Sequence, residues 1–304
     1  MSRVYETIII GAGIAGLSAA IYARRKEMDF LFLSEDFGGQ LNYVGKIENY
    51  PGIPQTNWIE LAQGFQKQLD IHGIVLQKGV NVTGIVQEPK HIFRIEAGKN
   101  VYRAKSVLIA TGAHARRLTI PGESKFFERG VHYCAICDGP LYKEKTVAIL
   151  GSGNAGLEAG EFMMNIAKRV YLIDVTACIT GQEILARRIQ SNRKVTVMCG
   201  TKIVEIFGDK KVEKIGIETD GNRKMIPVDA VLVEIGRVPG SDFVKHFVKL
   251  DEHGHIITDK HHMTSVPGVF AAGDVTDSEV YQIITAAGDG AKALINMSKY
   301  LTRK

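Results

Sequence analysis

Two thiols and an acid stand together in Cys134-Ala135-Ile136-Cys137-Asp138. Cysteines separated by two residues can close a small disulfide. A carboxylic acid beside the second can pass a proton to a thiolate, provided burial raises its pKa. Two glycine-rich runs flank this pentad, Gly11-Ala12-Gly13-Ile14-Ala15-Gly16 and Gly151-Ser152-Gly153-Asn154-Ala155-Gly156. Glycines at these spacings let the backbone approach a pyrophosphate, whose charge is met by amides at a helix start. A dithiol between two nucleotide sites is the layout of an electron relay. One site would hold a flavin, the other a reductant, and the sulfur pair would carry electrons out.

The surrounding pattern supplies the elements those motifs need. An apolar run, residues 6–10, feeds the first glycines, and Gly16, Ala19, Ala20 and Ala23 then recur at helical spacing. A second run, Phe30 to Leu33, ends at Ser34-Glu35. This is a strand–turn–helix–strand unit. Loops rich in turn residues follow at Gly38-Gly39-Gln40 and Glu48-Asn49-Tyr50-Pro51-Gly52, then an amphipathic helix over residues 58–69 and paired strands over 80–96. A continuous strand from Ser106 to Ala110 stops at Thr111-Gly112. The plan repeats with its first glycine 140 residues later, from Gly11 to Gly151. A strand over 146–150, small residues at Gly156, Ala159 and Gly160, and a strand ending at Asp174 follow in turn. Strands over 195–219 and a strand over 229–236 that again ends in glycine complete the copy. The tail, a strand ending at Gly273-Asp274 and a long helix over about 280–301, has no counterpart before Cys134 and is expected to complete the first domain. The fold class is therefore α/β: two three-layer, Rossmann-like dinucleotide-binding domains, the second inserted into the first. Residues 1–116 with 244–304 form the FAD-binding domain, and 117–243 the pyridine-nucleotide domain carrying the CxxC. The crossings, near 114–121 and 238–243, contain Gly or Pro, which suits hinges.

Bulk composition narrows the classes. A chain of 304 residues, 45% hydrophobic and 23% charged, suits two packed soluble domains. No apolar stretch is long enough to span a bilayer, and no basic region or cleavage site surrounds the longest one, so a cytoplasmic protein away from membranes is expected. The net charge of +5 is scattered. The densest basic run, residues 209–214, is interrupted by acids and reads as a solvated hairpin tip, so no nucleic-acid partner is expected.

The acids select the nucleotides. Asp174 lies 23 residues after Gly151, where a carboxylate accepts from a ribose 2′-hydroxyl and repels a 2′-phosphate; no arginine occurs from 175 to 185. That favours NADH over NADPH. In the first copy the same spacing falls on Ser34, with Glu35 next, and Glu35 is read as the partner of the flavin's ribose. A zinc site is the competing reading of CxxC. Structural zinc wants four ligands, commonly as two close pairs, and Cys178 and Cys199 do not form a second pair. They read as ordinary buried or half-buried thiols, and His132 as a surface residue beside Cys134. Asp138 could equally be a carboxylate that only caps a helix.

These motifs, in this order, resemble low-molecular-weight thioredoxin reductases over nearly the whole chain, the CAxCD pentad between two dinucleotide motifs being the most specific. Residues 134–142 and 281–293 also resemble the flavin portion of alkyl hydroperoxide reductase; the chain begins at the flavin strand, so that relative's amino-terminal thioredoxin-like domains are expected to be absent. The resemblance implies a homodimeric FAD enzyme. Gly13, Glu35, Gln40, Asn49 and Asp274 would contact FAD, with Gln282 and Ile283 near the flavin, where the last helix's dipole would stabilise negative charge. Gly39, Ala110, Thr111, Gly112 and Gly273 belong to the same motifs. Cys137 would face the flavin and Cys134 attack a thioredoxin-like protein, with rotation of the inserted domain alternating the contacts. The arginine cluster of NADPH-dependent members is replaced here by residues 174–179, which reopens the donor to NADH, ferredoxin or a reduced deazaflavin. A ferredoxin–NAD(P) reductase of related fold and a non-catalytic flavin redox sensor are the remaining alternatives.

Overall fold

A computed structural model describes residues 3–43, 46–278 and 280–302. The chain begins with β1 (Val4–Ile10), α1 (Ile14–Arg25) and β2 (Phe30–Leu33), then α2 (Trp58–Ile71) and β3 (Leu76–Gln77). A meander follows: β4 (Gly84–Glu88), β5 (Ile92–Ala97) and β6 (Asn100–Ile109). Next come β7 (Val131–His132), α3 (Ala135–Asp138), β8 (Thr146–Leu150), α4 (Asn154–Ile166) and β9 (Arg169–Ile173). After α5 (Glu183–Ser191) run β10 (Val195–Met198), β11 (Thr201–Phe207), β12 (Lys214–Thr219), β13 (Asn222–Pro227) and β14 (Ala230–Val233). The chain closes with β15 (Val269–Ala271) and α6 (Ile283–Thr302).

Two compact units result: Met1–His114 with Val238–Lys304, and Ala115–Arg237. Residues 238–243, a crossing in the sequence reading, lie within the first unit.

In the first unit β3, β2, β1, β6 and β15 are parallel neighbours in that order. β6 is long enough to serve two partners along one edge while β1 takes the other. Its first half pairs antiparallel with β5 from Phe93↔Ala104 to Ala97↔Asn100, and its second half pairs with β15 from Val269↔Val107 to Ala271↔Ile109. Side chains alternate across this sheet and both faces are buried, as a parallel sheet requires. Ile9, Phe32, Leu108 and Phe270 face α1, α2 and α6. Ile8, Ile10, Leu33, Val107 and Val269 face the meander, through Phe93 and Ile95, and the segment holding Val244 and Val248.

The second unit repeats the scheme with a parallel sheet ordered β7-β14-β8-β9-β10. Val147, Ile149, Leu172 and Leu232 pack against α4 and α5. Ala148, Leu150, Val231 and Val233 pack on Ile206, Ile215 and Ile217 of the antiparallel β11-β12-β13 layer. Residues 208–213 form the hairpin connection between β11 and β12, yet Val212 within it is only 1% exposed. The charged run is therefore not solvated throughout, because its one apolar residue turns back into the core.

Close helix packing rests on missing Cβ atoms. A Cβ on Gly16 would overlap the Gly11 carbonyl oxygen, and one on Gly290 of α6 would overlap the Ala15 carbonyl oxygen of α1, whereas Gly288, two residues earlier, has open space around it. Gly290→Ala should destabilise by about 1–3 kcal/mol through overpacking. Gly288→Ala should instead stabilise by roughly 0.5–1 kcal/mol through helix propensity. Urea unfolding of the two variants should show opposite signs.

Candidate functional site

Each unit turns the same corner at the carboxyl end of the strand that leads into its glycine motif, β1 in the first and β8 in the second. The Gly11 N–H donates to Leu33 O at 2.8 Å and the Gly151 N–H to Ile173 O at 2.9 Å. A Cβ on either glycine would meet the carbonyl at the end of the neighbouring strand, that of Ala110 in one unit and of Glu234 in the other. Both glycines have positive φ, +103° and +108°, so a side chain there is excluded twice over. Gly13 and Gly153 share one extended conformation, and no side chain caps the helix that either one begins. A Cβ on Gly13 would find nothing within 4 Å. Uncapped amides behind an unobstructed glycine suit a pyrophosphate, so both motifs fit a dinucleotide. Within the second motif, the buried Ser152 hydroxyl has no hydrogen-bond partner among the described residues.

The other residues singled out for FAD surround the first corner. Gly39 has φ +55°, and a Cβ there would lie 3.4 Å from Gly13 Cα, while the Gly38 N–H donates to Ala12 O. Gln40 Nε2 donates to Ala113 O, just past Ala110-Thr111-Gly112. Thr111 Oγ1 donates to Gly240 O at 2.6 Å. Gly273, at the end of β15, takes φ +74°, with the Ala15 side chain against it and Asp274 next. Asn49 Nδ2 donates to Gln282 Oε1 at 3.0 Å, joining a loop 233 residues away to the residue before α6. The Gln282 carbonyl accepts the Ala286 N–H, and the first turn from Ile283 contains no acid. An open depression of about 440 Å³ is lined by residues 48–54.

Ser34 and Asp174 are structural counterparts. Ser34 Oγ accepts the Ala12 N–H at 3.0 Å, as Asp174 Oδ2 accepts the Ser152 N–H at 2.5 Å. Glu35, one residue on, is exposed. Asp174 Oδ1 also accepts the N–H and hydroxyl of Thr176, each at 2.8 Å. Burial pushes the Asp174 carboxyl up, but these hydrogen bonds together outweigh burial and hold it below its usual value. Nearby, Lys202 is paired to Glu218 at 2.9 Å. Gly181 and Thr180 fold over the motif, donating their N–H groups to Ser152 O, and Asn154 Oδ1 accepts the Gln182 N–H. Cys199 is half-buried and Cys178 is exposed, contrary to the expectation for Cys178. Among the described residues no three His, Cys, Asp or Glu side chains come together as a metal site.

Cys134 and Cys137 form a disulfide, their Cα atoms 5.3 Å apart. Cys134 begins α3, its Sγ accepting the Cys137 N–H at 3.2 Å. Both cysteines are half-buried, whereas Ile136 and Leu141 are exposed beside them. Gly139 seats this turn on α4, since a Cβ there would strike Met163 Sδ and Phe162. Upstream, buried Glu123 accepts the N–H groups of Leu118 and Thr119 and the Tyr133 hydroxyl, fixing the approach to Cys134.

Two residues beside the pair were not legible as such. His132 is buried, 6% exposed, rather than on the surface. Its Nδ1 lies 3.4 Å from Asp138 Oδ2 and its Nε2 2.8 Å from the Tyr142 hydroxyl. Burial, with Asp138 and Asp229 nearby, pushes the Tyr142 hydroxyl up to about 12, so it stays protonated. Asp138 thus sits at one end of a chain that runs through buried His132 to half-buried Tyr142. The second residue is Glu234, whose Oε1 accepts the Ala135 N–H at 3.1 Å. The sequence held a signal for it: Ala110-Thr111-Gly112 ends one strand, and Glu234-Ile235-Gly236 stands at the same place in the copy.

Because the folded carboxyl of Asp174 lies below its unfolded value, the stability it confers is present at neutral pH. That contribution is lost as pH falls through the folded value. Asp174→Asn should cost about 1–2 kcal/mol at pH 7. Denaturant unfolding across pH should show the gap to wild type closing in acid.

Comparison with known proteins fits this geometry. The family model described as pyridine nucleotide-disulphide oxidoreductase matches residues 5–290. A solved thioredoxin reductase from Streptococcus pyogenes is 34% identical, with each chain covered to 100% and a TM-score of 0.91. One from Giardia duodenalis is 30% identical, covering 99% of this chain and 100% of that one, also at a TM-score of 0.91. An alkyl hydroperoxide reductase chain of Staphylococcus epidermidis is 35% identical over 301 residues, 98% of this chain but 59% of its own length. The chain thus spans about three fifths of the curated relatives it matches. No described helix is long and apolar enough to cross a membrane. With two glycine corners, a CxxC disulfide and a match along almost its whole length, the chain belongs to the FAD-dependent pyridine nucleotide-disulphide oxidoreductases, in the group formed by low-molecular-weight thioredoxin reductases and the flavin portion of alkyl hydroperoxide reductase.

Proposed function

We propose that this chain is a cytoplasmic, homodimeric disulfide reductase that takes electrons from NADH and delivers them through Cys134–Cys137 to a thioredoxin-like protein. The observation that carries the reading is the half-buried disulfide on the unit whose glycine corner is paired with Asp174. FAD, when bound, supplies the two-electron transfer between the nicotinamide and the disulfide. The first unit would be its binding domain: the Ile14 and Ala15 amides would meet the pyrophosphate, Gly11, Gly16, Gly39 and Gly273 would let the backbone come close to it, and Glu35 would hold the ribose. Ser34 stays committed to the Ala12 N–H.

In the second unit, Gly151, Gly153, Asn154 and Ala155 cradle the reductant's pyrophosphate, and Asp174 accepts from the adenosine ribose. A fixed carboxylate repels a 2′-phosphate, and the nearby cation Lys202 is already engaged by Glu218. Opening the disulfide leaves two sulfurs, one of which takes a proton from Asp138, held in place by His132. Cys134, as thiolate, attacks the partner's disulfide and forms a mixed disulfide, releasing one partner thiolate that takes up a proton. Cys137 returns its proton to Asp138 and, as thiolate, attacks Cys134 Sγ, regenerating the intramolecular disulfide; the second partner sulfur leaves as a thiolate that takes up a proton from solvent. The exposed Ile136 and Leu141 give a protein partner an apolar rim to cover.

Anaerobic mixing of the holoprotein with NADH, NADPH or reduced ferredoxin decides the donor. NADH should bleach the flavin fastest. Bleaching by reduced ferredoxin alone would instead make this a ferredoxin-fed reductase. Asp174→Asn should raise the NADPH-to-NADH ratio of kcat/KM about tenfold, equivalent to about 1.4 kcal/mol and within the ~1–4 kcal/mol of a charge pair near a surface. Cys134→Ser should keep flavin bleaching and lose turnover of thioredoxin disulfide.

A further inference from the structure

Glu234 is a titratable side chain that the reaction above does not use. It follows β14, and its N–H donates to Leu150 O at 2.8 Å. In the first unit the same bond, Ala110 N–H to Ile10 O, also at 2.8 Å, is made by a residue with only a methyl group. The carbonyl of each stands against the first glycine of its motif. The Glu234 side chain reaches instead to α3, where its carboxylate accepts the Ala135 N–H, one peptide from Cys134. One residue thus borders the reductant's glycine corner through its backbone and the redox helix through its side chain.

Three charged groups face the carboxyl. Arg237 lies on the exit from its own strand, Glu158 on α4 and Asp138 on α3. Burial pushes the Glu234 carboxyl up to about 7; the Ala135 N–H and Arg237 oppose this, while Glu158 and Asp138 add to it. At neutral pH such a group lies midway between its two protonation states. A new negative charge on the sulfurs then decides which state it takes.

We propose that Glu234 is the second proton-holding group of the disulfide centre, taking up a proton when the Cys134–Cys137 bond is opened and releasing it when the bond re-forms. The step balances. The disulfide gains two electrons from the reductant; Asp138 passes one proton to a sulfur and regains it from solvent, and solvent supplies a second proton to the Glu234 carboxylate. The products are one thiol, one thiolate and a neutral carboxylic acid, with the net charge of the centre unchanged. Glu234 does not touch the sulfurs, so it is a positioning residue that sets the charge around them. The inference rests on Cys134–Cys137 being a redox pair, as proposed above.

The test uses the holoprotein, with the pair reduced by dithiothreitol under anaerobic conditions and neither nicotinamide nor thioredoxin present. Alkylation of the reduced pair by iodoacetamide is followed from acid to alkaline pH. In wild type the ionisation of Glu234, which the new thiolate pushes further up, should add an inflection above pH 7 and hold back thiolate formation beyond it. Glu234→Gln keeps an acceptor for the Ala135 N–H, should remove that inflection, and should raise the alkylation rate just above neutrality several-fold. Superimposable profiles for the two folded proteins would overturn the inference. Should the variant not fold, the reduced-minus-oxidised infrared spectrum of wild type decides. A protonated-carboxyl band that shifts on ¹³C-glutamate labelling supports the proton uptake, and no such band refutes it. A pair that dithiothreitol cannot open would end both this inference and the reductase reading. A reducible pair with an unchanged profile would end only this one.

Discussion

Everything in this molecule follows from a close approach of two backbones at the carboxyl end of a parallel sheet. Gly11 lies against the Ala110 carbonyl and Gly151 against the Glu234 carbonyl, and neither position tolerates a Cβ. That contact lets a helix leave the strand with its first amides uncapped, the electrostatic condition for holding a pyrophosphate. Small residues on α1 then allow α6 to close on it through Gly290. The same corner, made twice from related sequence, gives two Rossmann-like units whose backbones fit a dinucleotide in the same way.

The differences are few and chemical. Where the first corner carries Ser34, a neutral hydroxyl, the second carries Asp174, a carboxylate stabilised in its charged form by Ser152 and Thr176. Where the first ends its neighbouring strand in Ala110, the second ends it in Glu234, tied to the helix that carries the disulfide. Two acids therefore flank the helix that carries the sulfur pair, Asp138 at its last residue and Glu234 at its first N–H. Asp138 is backed by His132 and Tyr142, and Glu234 by the sheet. In the reaction proposed above, which moves both electrons and protons, these two acids are the groups assigned to hold the protons.

Much of this was legible in the residues. The glycine spacing, the 140-residue offset and the alternation of apolar runs fix backbone geometry locally, so both corners, the parallel strands and the final helix were readable. Cys134, Cys137 and Asp138 declare their chemistry by type and adjacency. The burial of His132 was not readable, because a histidine beside a turn looks the same in sequence whether it faces water or Tyr142. Val212 misled in the same way: charge on both sides of it implied solvent, and only the packing of β11 and β12 on the sheet shows where it points. Glu234 was hidden because it directly follows an apolar strand that settles its backbone, while its side chain is placed by a contact with α3 99 residues away.

The central claim is that electrons pass through the Cys134–Cys137 pair. An anaerobic reductive titration of the holoprotein measures this directly, by counting reducing equivalents taken up per bound flavin. Wild type should accept two electron pairs per chain, one for the flavin and one for the disulfide, and Cys134→Ser only one. Equal uptake by both proteins would contradict the account.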